Sequence, residues 1–190
     1  RLFLKLASCA EVDYRKENYG LEALPDIDFN IRAGNSLVGF ANYQAVRDAV
    51  NHANDDQASF LFDDPMPKID EKAQIVAQAY KRFKDTQTVS GTHDDIVAAK
   101  QDLQNRLSAL NDELNHYMAK EYGIDTNKED CYKQWLSTHE PFNWFVEFYD
   151  VIHNHGGFDV IIGNPPYVEY SKVDTYKIKN YQTEACGNLY

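Results

Sequence analysis

The sequence has few cysteines and no long apolar run, and each absence argues against a class of protein. Its three cysteines, Cys9, Cys131 and Cys186, lie far apart and form no Cys-x-x-Cys pair, which argues against a disulfide scaffold and against a zinc ribbon. No apolar stretch approaches the roughly 18–20 residues that are needed to cross a bilayer. We therefore expect a cytoplasmic protein with no membrane partner.

Basic residues are also scarce, and the acidic excess is concentrated in the middle of the chain. The sequence carries 19 Lys and Arg against 30 Asp and Glu, a net charge of −11. Residues 41–150 hold 20 acidic and 11 basic residues, whereas the segments 1–40 and 151–190 each have a net charge of −1. An acidic middle segment does not neutralise phosphates by itself. Any contact with nucleic acid is therefore local, or is made by parts of the protein outside this chain.

The material for a folded core is present, since apolar residues make up 43% of the chain and aromatic residues 13%. This is not the composition of a disordered chain. A length of 190 residues suits one domain, or one domain that carries an insertion. The sequence does not begin with Met, and it stops at Tyr190 inside a patterned stretch. We expect it to be a piece of a longer polypeptide.

Two long stretches in the middle of the chain have the period of an amphipathic helix. Their apolar positions are Ile69, Ala73, Val76, Tyr80 and Phe83, and then Leu103, Leu107, Leu110, Leu114 and Tyr117. Thr92, with Asp95 three residues later, has the form of a capping box, and Gly123 suits a helix C-terminus. The pattern predicts an antiparallel helical hairpin with a short loop at about residues 85–91, whose apolar stripes pack against each other.

Shorter elements are predicted before the hairpin. Residues 1–7 have the pattern of the end of an amphipathic helix. Residues 29–32 alternate and predict a short strand that runs into a turn at residues 34–36. Residues 41–64 predict one short helix followed by a polar loop at residues 51–56.

The most informative stretch begins after residue 150. A glycine pair leads into residues 158–163 (FDVIIG), and the β-branched run at residues 160–162 predicts a central parallel strand that is buried on both faces. Asn164-Pro165-Pro166-Tyr167 follows directly. Ligands of open α/β sheets bind at the carboxyl ends of strands, so we expect a site at these four residues.

These four residues have the chemistry to hold the amino group of a nucleobase. Such an amino group is a poor nucleophile, because its lone pair is delocalised into the ring. Two acceptors, the side-chain oxygen of Asn164 and the backbone carbonyl of Pro165, would draw the nitrogen towards tetrahedral geometry. Tyr167 offers a flat face for an unstacked base, a contact worth roughly 1–3 kcal/mol. The base must leave the duplex to reach such a site.

Residues 159–167 (DVIIGNPPY) resemble the catalytic motif of amino-methylating DNA methyltransferases, and the Asn form of this motif is typical of adenine-N6 enzymes. Further stretches narrow the resemblance to the large fused restriction–modification enzymes of Type IIG, often filed as Type IIS. They are residues 24–37 (LPDIDFNIRAGNSL), residues 141–145 (PFNWF) with 156–159 (GGFD), and residues 187–190 (GNLY).

The resemblance implies an α/β fold, a partial Rossmann-like S-adenosyl-L-methionine-dependent methyltransferase with a large helical insertion (the antiparallel hairpin), helix-rich overall. Residues 1–40 would be a core segment, residues 41–150 the helical insertion, and residues 151–190 the catalytic-motif segment. The implied reaction transfers a methyl group to a flipped adenine of double-stranded DNA. The same polypeptide would carry nuclease and target-recognition domains, and Mg2+ would serve only that nuclease.

The resemblance also assigns roles to residues. Those that hold the target adenine are Asn164, Pro165, Pro166 and Tyr167. Asn35 and Asp159 lie on the cofactor side, although the stretch around Asn35 is equally typical of an ordinary turn. Lys172, Lys177 and Lys179 are candidates for contact with the DNA backbone, with an ordinary mixed surface as the alternative. No spacing typical of a hydrolytic metal site is present, so no metal site is predicted.

The chain also departs from the family pattern. None of its nine glycines forms the Gly-x-Gly of a cofactor loop, and the acidic residue for the cofactor ribose would precede Arg1. We therefore expect the isolated 190 residues to have little or no methyltransferase activity. Two other interpretations stay open. The protein could be a phage-defence DNA methylase without a nuclease, or the hairpin at residues 67–122 could be a module for interaction with protein or DNA.

Overall fold

The structure is a computed structural model, and it describes residues 2–16, 19, 29, 31–55, 64–88, 92–164 and 169–179. The α-helices of this part of the chain are α1 (Leu2–Ser8), α2 (Tyr43–Asp55), α3 (Met66–Thr88), α4 (His93–Glu121), α5 (Glu129–His139) and α6 (Trp144–Glu147). A π-helical turn (Asp150–Asn154) follows α6, and a 3-10 turn (Tyr170–Lys172) comes later. Among the residues described, no helix combines the length and the apolar character that a membrane span requires.

The helices α3 and α4 form the predicted hairpin. The apolar stripes face each other, and their most buried side chains, each at most 7% exposed, are Ile69, Ala73, Val76, Phe83, Leu103, Leu107, Leu110 and Leu114. Lys72 near the start of α3 pairs with Glu113 near the end of α4, with Nζ and Oε2 2.6 Å apart. Because the first half of α3 thereby lies beside the second half of α4, the two helices run in opposite directions. The hairpin was predictable because the period of 3.6 residues is a local property of the sequence.

Both ends of α4 have the predicted caps. The hydroxyl of Thr92 accepts a hydrogen bond from the Asp95 N–H, and the Asp95 carboxylate accepts one from the Thr92 N–H at 3.0 Å. The hydrogen bonds from Thr92 hold the pKa of Asp95 below its ordinary value. At the other end Gly123, at φ +74°, donates its N–H to the carbonyl of Lys120 at 2.8 Å. These bonds satisfy backbone groups that a helix end leaves without partners.

The helix α2 packs its apolar face, Val46, Ala49 and Val50, into the core beside α4. It continues to Asp55, so the polar loop predicted at residues 51–56 was wrong over most of its length. Asn and Asp are weak helix formers, but the packing of an apolar face outweighs a few tenths of a kcal/mol per residue.

Two segments that are distant in the sequence lie side by side against the helices. A parallel bridge joins Asn35 to Pro141, and the N–H of Phe142 donates to the carbonyl of Val38 at 2.6 Å. Gly39 permits this approach, because a Cβ at that position would lie 2.0 Å from the carbonyl oxygen of Phe142. The backbone of Gly39 also has a φ of +146°, which an L side chain rarely adopts.

The strand predicted at residues 29–32 is wrong. Phe29, Ile31 and Arg32 are described, and none of them is in a strand. Phe29 is 4% exposed, with its ring edge-on to Phe83 of α3 at 5.0 Å. A strand requires a neighbour for its backbone hydrogen bonds, and here the surface of α3 supplies an apolar contact instead.

Candidate functional site

The predicted catalytic residue Asn164 lies in an exposed segment. Residues 158–164 contain neither helix nor strand, and the side chains of Asp159 and Asn164 are exposed. The amide of Asn164 is therefore open to a ligand rather than enclosed in the core. The other motif residues that were assigned to the target base, Pro165, Pro166 and Tyr167, lie outside the described residues.

The buried strand predicted just before Asn164 is absent from the structure. Val160, Ile161 and Ile162 are 72%, 78% and 91% exposed. A central parallel strand is buried only when strands pair with it on both sides. Within the described residues the sole strand-like pairing that involves two described partners is the bridge from Asn35 to Pro141, so no described strand pairs with the apolar run.

Asn35 lies in a turn, which is one of the two structures that the sequence around it suggested. Its side-chain oxygen accepts the N–H of Leu37 at 3.1 Å, and its own N–H donates to the carbonyl of Glu140 at 2.7 Å. The indole N–H of Trp144 donates to the carbonyl of Ser36 at 3.1 Å, which ties this turn to the segment after α5. Its position on the cofactor side stays a prediction.

An aromatic cluster, formed by Phe142, Trp144, Phe148 and Phe158, connects that turn to the stretch that leads into the predicted motif at residues 159–167. The ring of Phe158 lies edge-on to Trp144 at 6.1 Å and to Phe148 at 5.1 Å. Such edge-to-face pairs contribute roughly 0.5–1.5 kcal/mol each beyond the burial of their area. The cluster therefore holds the residue that directly precedes Asp159.

The three lysines that were predicted to contact DNA have different surroundings. Lys172 pairs with Glu169 at 2.9 Å. The ammonium of Lys179 donates to the carbonyl of Glu121 at 2.7 Å and lies over the ring of Tyr122, 5.0 Å from its centroid. The side chain of Lys177 is exposed. The contacts of Lys179 are those of a structural residue, and DNA contact by any of the three stays a prediction.

Sequence reasoning missed a buried polar network that is centred on Asn143. This side chain is 1% exposed. Its Nδ2 donates to the Oδ1 atoms of Asn111 at 3.1 Å and Asn115 at 2.9 Å, both on α4. Its Oδ1 accepts the N–H of Phe40 at 3.2 Å. A signal was available, because Asn143 is a lone amide inside the aromatic run at residues 141–149.

The network continues to an ion pair of low exposure. Asn111 donates to Oε1 of Glu147 at 2.7 Å, and Oε2 of Glu147 lies 3.0 Å from Nε of Arg32, with side chains 14% and 16% exposed. The guanidinium also lies over the ring of Phe29, 4.9 Å from its centroid. Helix α4, the segment before α2 and the segment after α5 are thereby joined through polar side chains.

A cavity of about 250 Å³ lies beside this ion pair, between α3, α4 and residues 146–158. Aromatic and charged side chains line it, among them Tyr80, Lys84, Phe148 and Phe158. Such a mixture is typical of a pocket for a small ligand. Of the predicted site residues that the structure describes, none is among the lining residues.

Comparison with known proteins connects the chain to restriction–modification systems. It is 26% identical over 198 aligned positions to a protein of Methanocaldococcus jannaschii that carries the provisional name of a type II restriction enzyme and methyltransferase. The alignment covers 88% of this chain and 16% of the relative, so the chain spans about one sixth of that protein's length. No solved structure matches the chain. The family model described as Eco57I restriction-modification methylase matches residues 2–190, and the chain belongs to that family.

Proposed function

We propose that this chain is the part of a DNA adenine-N6 methyltransferase that holds the target base. The observation that carries the proposal is the position of Asn164, exposed and directly before Pro165 in the motif DVIIGNPPY. Membership of a restriction-modification methylase family supports the reaction class. The target is then an adenine that has left the duplex, since its amino group is out of reach of a side chain while it is stacked and paired.

Asn164 would act by hydrogen bonding rather than by proton transfer. The amide oxygen accepts one hydrogen of the adenine amino group, and the carbonyl of Pro165 accepts the other. The nitrogen takes the methyl group as the bond from that group to the donor's sulfur breaks, and acceptors that are held in place favour the positive charge that develops on the nitrogen. The surplus proton of the methylated amino group then leaves to water. Orientation of the base supplies the rest, because holding reactants in a near-attack geometry removes several kcal/mol of the barrier. No side chain becomes covalently attached to the base.

The residues on the proposed cofactor side have suitable chemistry for S-adenosyl-L-methionine, which supplies the electrophilic methyl group when it is bound. The oxygen of Asn35 is used in its turn, but an amide also carries two N–H donors, which can reach an acceptor nitrogen of an adenine ring. The exposed carboxylate of Asp159 can accept hydrogen bonds from hydroxyl or ammonium groups. Both residues bind and orient in this scheme, and neither moves a proton.

The fold that we propose for the full-length protein is a Rossmann-like α/β sheet with residues 41–150, which contain the helices α2 to α6, as an insertion. In it, residues 158–163 form a parallel strand between strands from other parts of the polypeptide. The exposure of Val160, Ile161 and Ile162, 72%, 78% and 91%, supports this idea. Exposure of three adjacent β-branched side chains to water costs about 25 cal/mol of free energy per Å² of apolar surface. Neighbouring strands and the helices of such a fold would cover them.

The proposed partners are double-stranded DNA and further domains of the same polypeptide, a nuclease that uses Mg2+ and a target-recognition domain, as in Type IIG enzymes. The support is the name of the archaeal relative, which combines a restriction enzyme with a methyltransferase. A phage-defence methylase without a nuclease is the alternative. Cleavage of unmethylated DNA by the full-length protein in the presence of Mg2+ favours the fused enzyme, and methylation without cleavage favours the alternative.

Replacement of Asn164 tests the role of the motif. In the full-length protein we expect Asn164→Ala to lower methyl transfer to double-stranded DNA by roughly 100- to 1,000-fold, with an unchanged unfolding midpoint, because the side chain is exposed. The measurement is incorporation of labelled methyl groups, with the product nucleoside identified by mass spectrometry.

Asn105→Ala is the matched control, since Asn105 is an exposed asparagine on α4 and should leave activity at the level of the unmodified protein. Near-full activity of the Asn164 variant would contradict the assigned role. A methyl group on cytosine rather than on the amino nitrogen of adenine would contradict the proposed specificity.

A further inference from the structure

The chain is anchored again after the motif, where residues 177–179 dock on the ends of α4 and α5. The hydroxyl of Tyr122 donates to the carbonyl of Lys177 at 2.8 Å, and the N–H of Lys177 donates to Nε2 of His139 at 3.4 Å. Ile178 is 7% exposed, and the ammonium of Lys179 bonds to the carbonyl of Glu121 at 2.7 Å. Three consecutive residues are therefore fixed by backbone or side-chain contacts.

The anchor before the motif is the aromatic cluster, which holds Phe158. It belongs to the segment that the buried amide of Asn143 attaches to Asn111 and Asn115 of α4. The second anchor lies at Glu121 and Tyr122, at the C-terminal end of the same helix. Ten residues separate Asn111 from Glu121, which is about 15 Å along a helix axis. A single rigid element thus sets the spacing between the two ends of the motif segment.

We propose that α4 and α5 are the platform that positions the motif segment for reaction, and that Tyr122 and His139 are positioning residues for Asn164. This inference rests on the proposed function. Neither side chain is required to touch the base or the cofactor. They act by fixing Lys177, which follows Asn164 in the chain, while the aromatic cluster fixes Phe158, which precedes it. A site that misses its productive geometry by about 1 Å loses a large part of its rate.

The variant that tests this is Tyr122→Phe in the full-length protein, with Tyr117→Phe, five residues earlier in α4, as the matched control. The first keeps the aromatic ring, which lies under Lys179 and edge-on to His139 at 5.2 Å, and removes only the hydroxyl that holds Lys177. We expect kcat to fall roughly five- to tenfold, the effect of one hydrogen bond. KM for DNA and for the methyl donor should stay within about twofold, since binding groups are not touched. Tyr117→Phe should leave both parameters unchanged.

Hydrogen–deuterium exchange of the same two variants measures the docking independently of activity. We expect the amides of residues 173–179 to exchange at least about tenfold faster in Tyr122→Phe than in the unmodified protein or Tyr117→Phe, with α3 and α4 unchanged. Unchanged exchange at residues 173–179 would overturn the proposal, and so would faster exchange with an unchanged kcat. If the unmodified protein transfers no methyl group to DNA, the proposed function fails, while the exchange result still decides whether the segment docks.

Discussion

At the scale of single residues, the most informative side chain is the amide of Asn143. It is 1% exposed, in a segment whose neighbours are aromatic, and a buried amide is costly unless its groups are bonded. Asn143 meets that condition with donors to two asparagines of α4 and an acceptor for the Phe40 N–H. The side chain therefore specifies which face of α4 receives the aromatic segment, in addition to stabilising it.

Replacement of Asn143 by Ala should destabilise the protein by about 3 kcal/mol. The change leaves the buried Phe40 N–H and the oxygens of two half-buried asparagines without their partner, and a group that water cannot reach costs about 1–3 kcal/mol when it is left unpaired. Urea unfolding followed by circular dichroism measures the difference. Asn105→Ala, at an exposed position of α4, is the control and should change stability by less than about 0.5 kcal/mol. An equal decrease in the free energy of unfolding of the two variants would show that the network does not specify the packing.

At the scale of elements, α4 contacts α2, α3 and α6 and supports both anchors of the motif segment. Its C-terminal end meets α5 through aromatic contacts. The ring centroids of Tyr122 and Trp135 are 5.6 Å apart, and those of Trp135 and His139 are 5.4 Å apart. Burial there lowers the pKa of His139. The ring must accept the N–H of Lys177 at Nε2, which only a neutral imidazole with its proton on Nδ1 can do.

The docking of residues 177–179 should therefore weaken as the solution becomes acidic. Because the folded-state pKa of His139 lies below its unfolded value of 6.5, the contribution of the neutral ring is present above that value and is lost as the pH falls through the folded pKa. The groups around the ring are Tyr122, Trp135, Thr138 and the backbone of Lys177. Amide exchange of Lys177, corrected for intrinsic rates, should show less protection at pH 5.5 than at pH 7.5.

The control is His139→Gln, which cannot take up a proton and keeps an acceptor for the N–H of Lys177. Its protection at Lys177 should not depend on pH. The same pH dependence in this variant and in the unmodified protein would assign the effect to another group.

At the scale of the whole molecule, the helices are packed while the apolar side chains of residues 160–162 are exposed. The apolar stripes of α3 and α4 are buried against each other and against Phe29, Phe145 and Tyr149. A hairpin that used these stripes to bind another protein would have to expose them first. The alternative role as an interaction module therefore has to use the polar faces, whereas the uncovered apolar surface lies at residues 160–162.

The proposed sheet is tested at Ile161, which is 78% exposed. In the full-length protein we expect Ile161→Asp to lower the free energy of unfolding by at least about 3 kcal/mol, because a buried, unpaired carboxylate is strongly unfavourable. Val97→Asp is the control, at a side chain of α4 that is 51% exposed and is not proposed to be covered. Unfolding in denaturant measures both. If the two variants are equally stable, residues 158–163 are not a buried strand.

Whether a structural feature could be predicted from the sequence depended on how far apart in the chain the interacting residues lie. The helices α3 and α4, the capping box at Thr92 and the turn at Gly123 were all predictable, because each depends on residues within one or two helical turns. The prediction of a strand at residues 29–32 was wrong because a strand depends on residues that are distant in the sequence. Alternation shows that a segment can form a strand, but whether a neighbouring strand is present is a property of the rest of the chain.

By itself, the sequence determined the amphipathic hairpin and the family to which the chain belongs, because periodicity and the motif at residues 159–167 are written in contiguous residues. Only the tertiary structure decided that Asn143 joins α4 to the aromatic segment and that Tyr122 and His139 hold the chain beyond the motif. It also decided that Lys179 binds the end of α4. These contacts join residues 28 to 58 positions apart, and hydrogen bonds of that range leave no periodic pattern in the sequence.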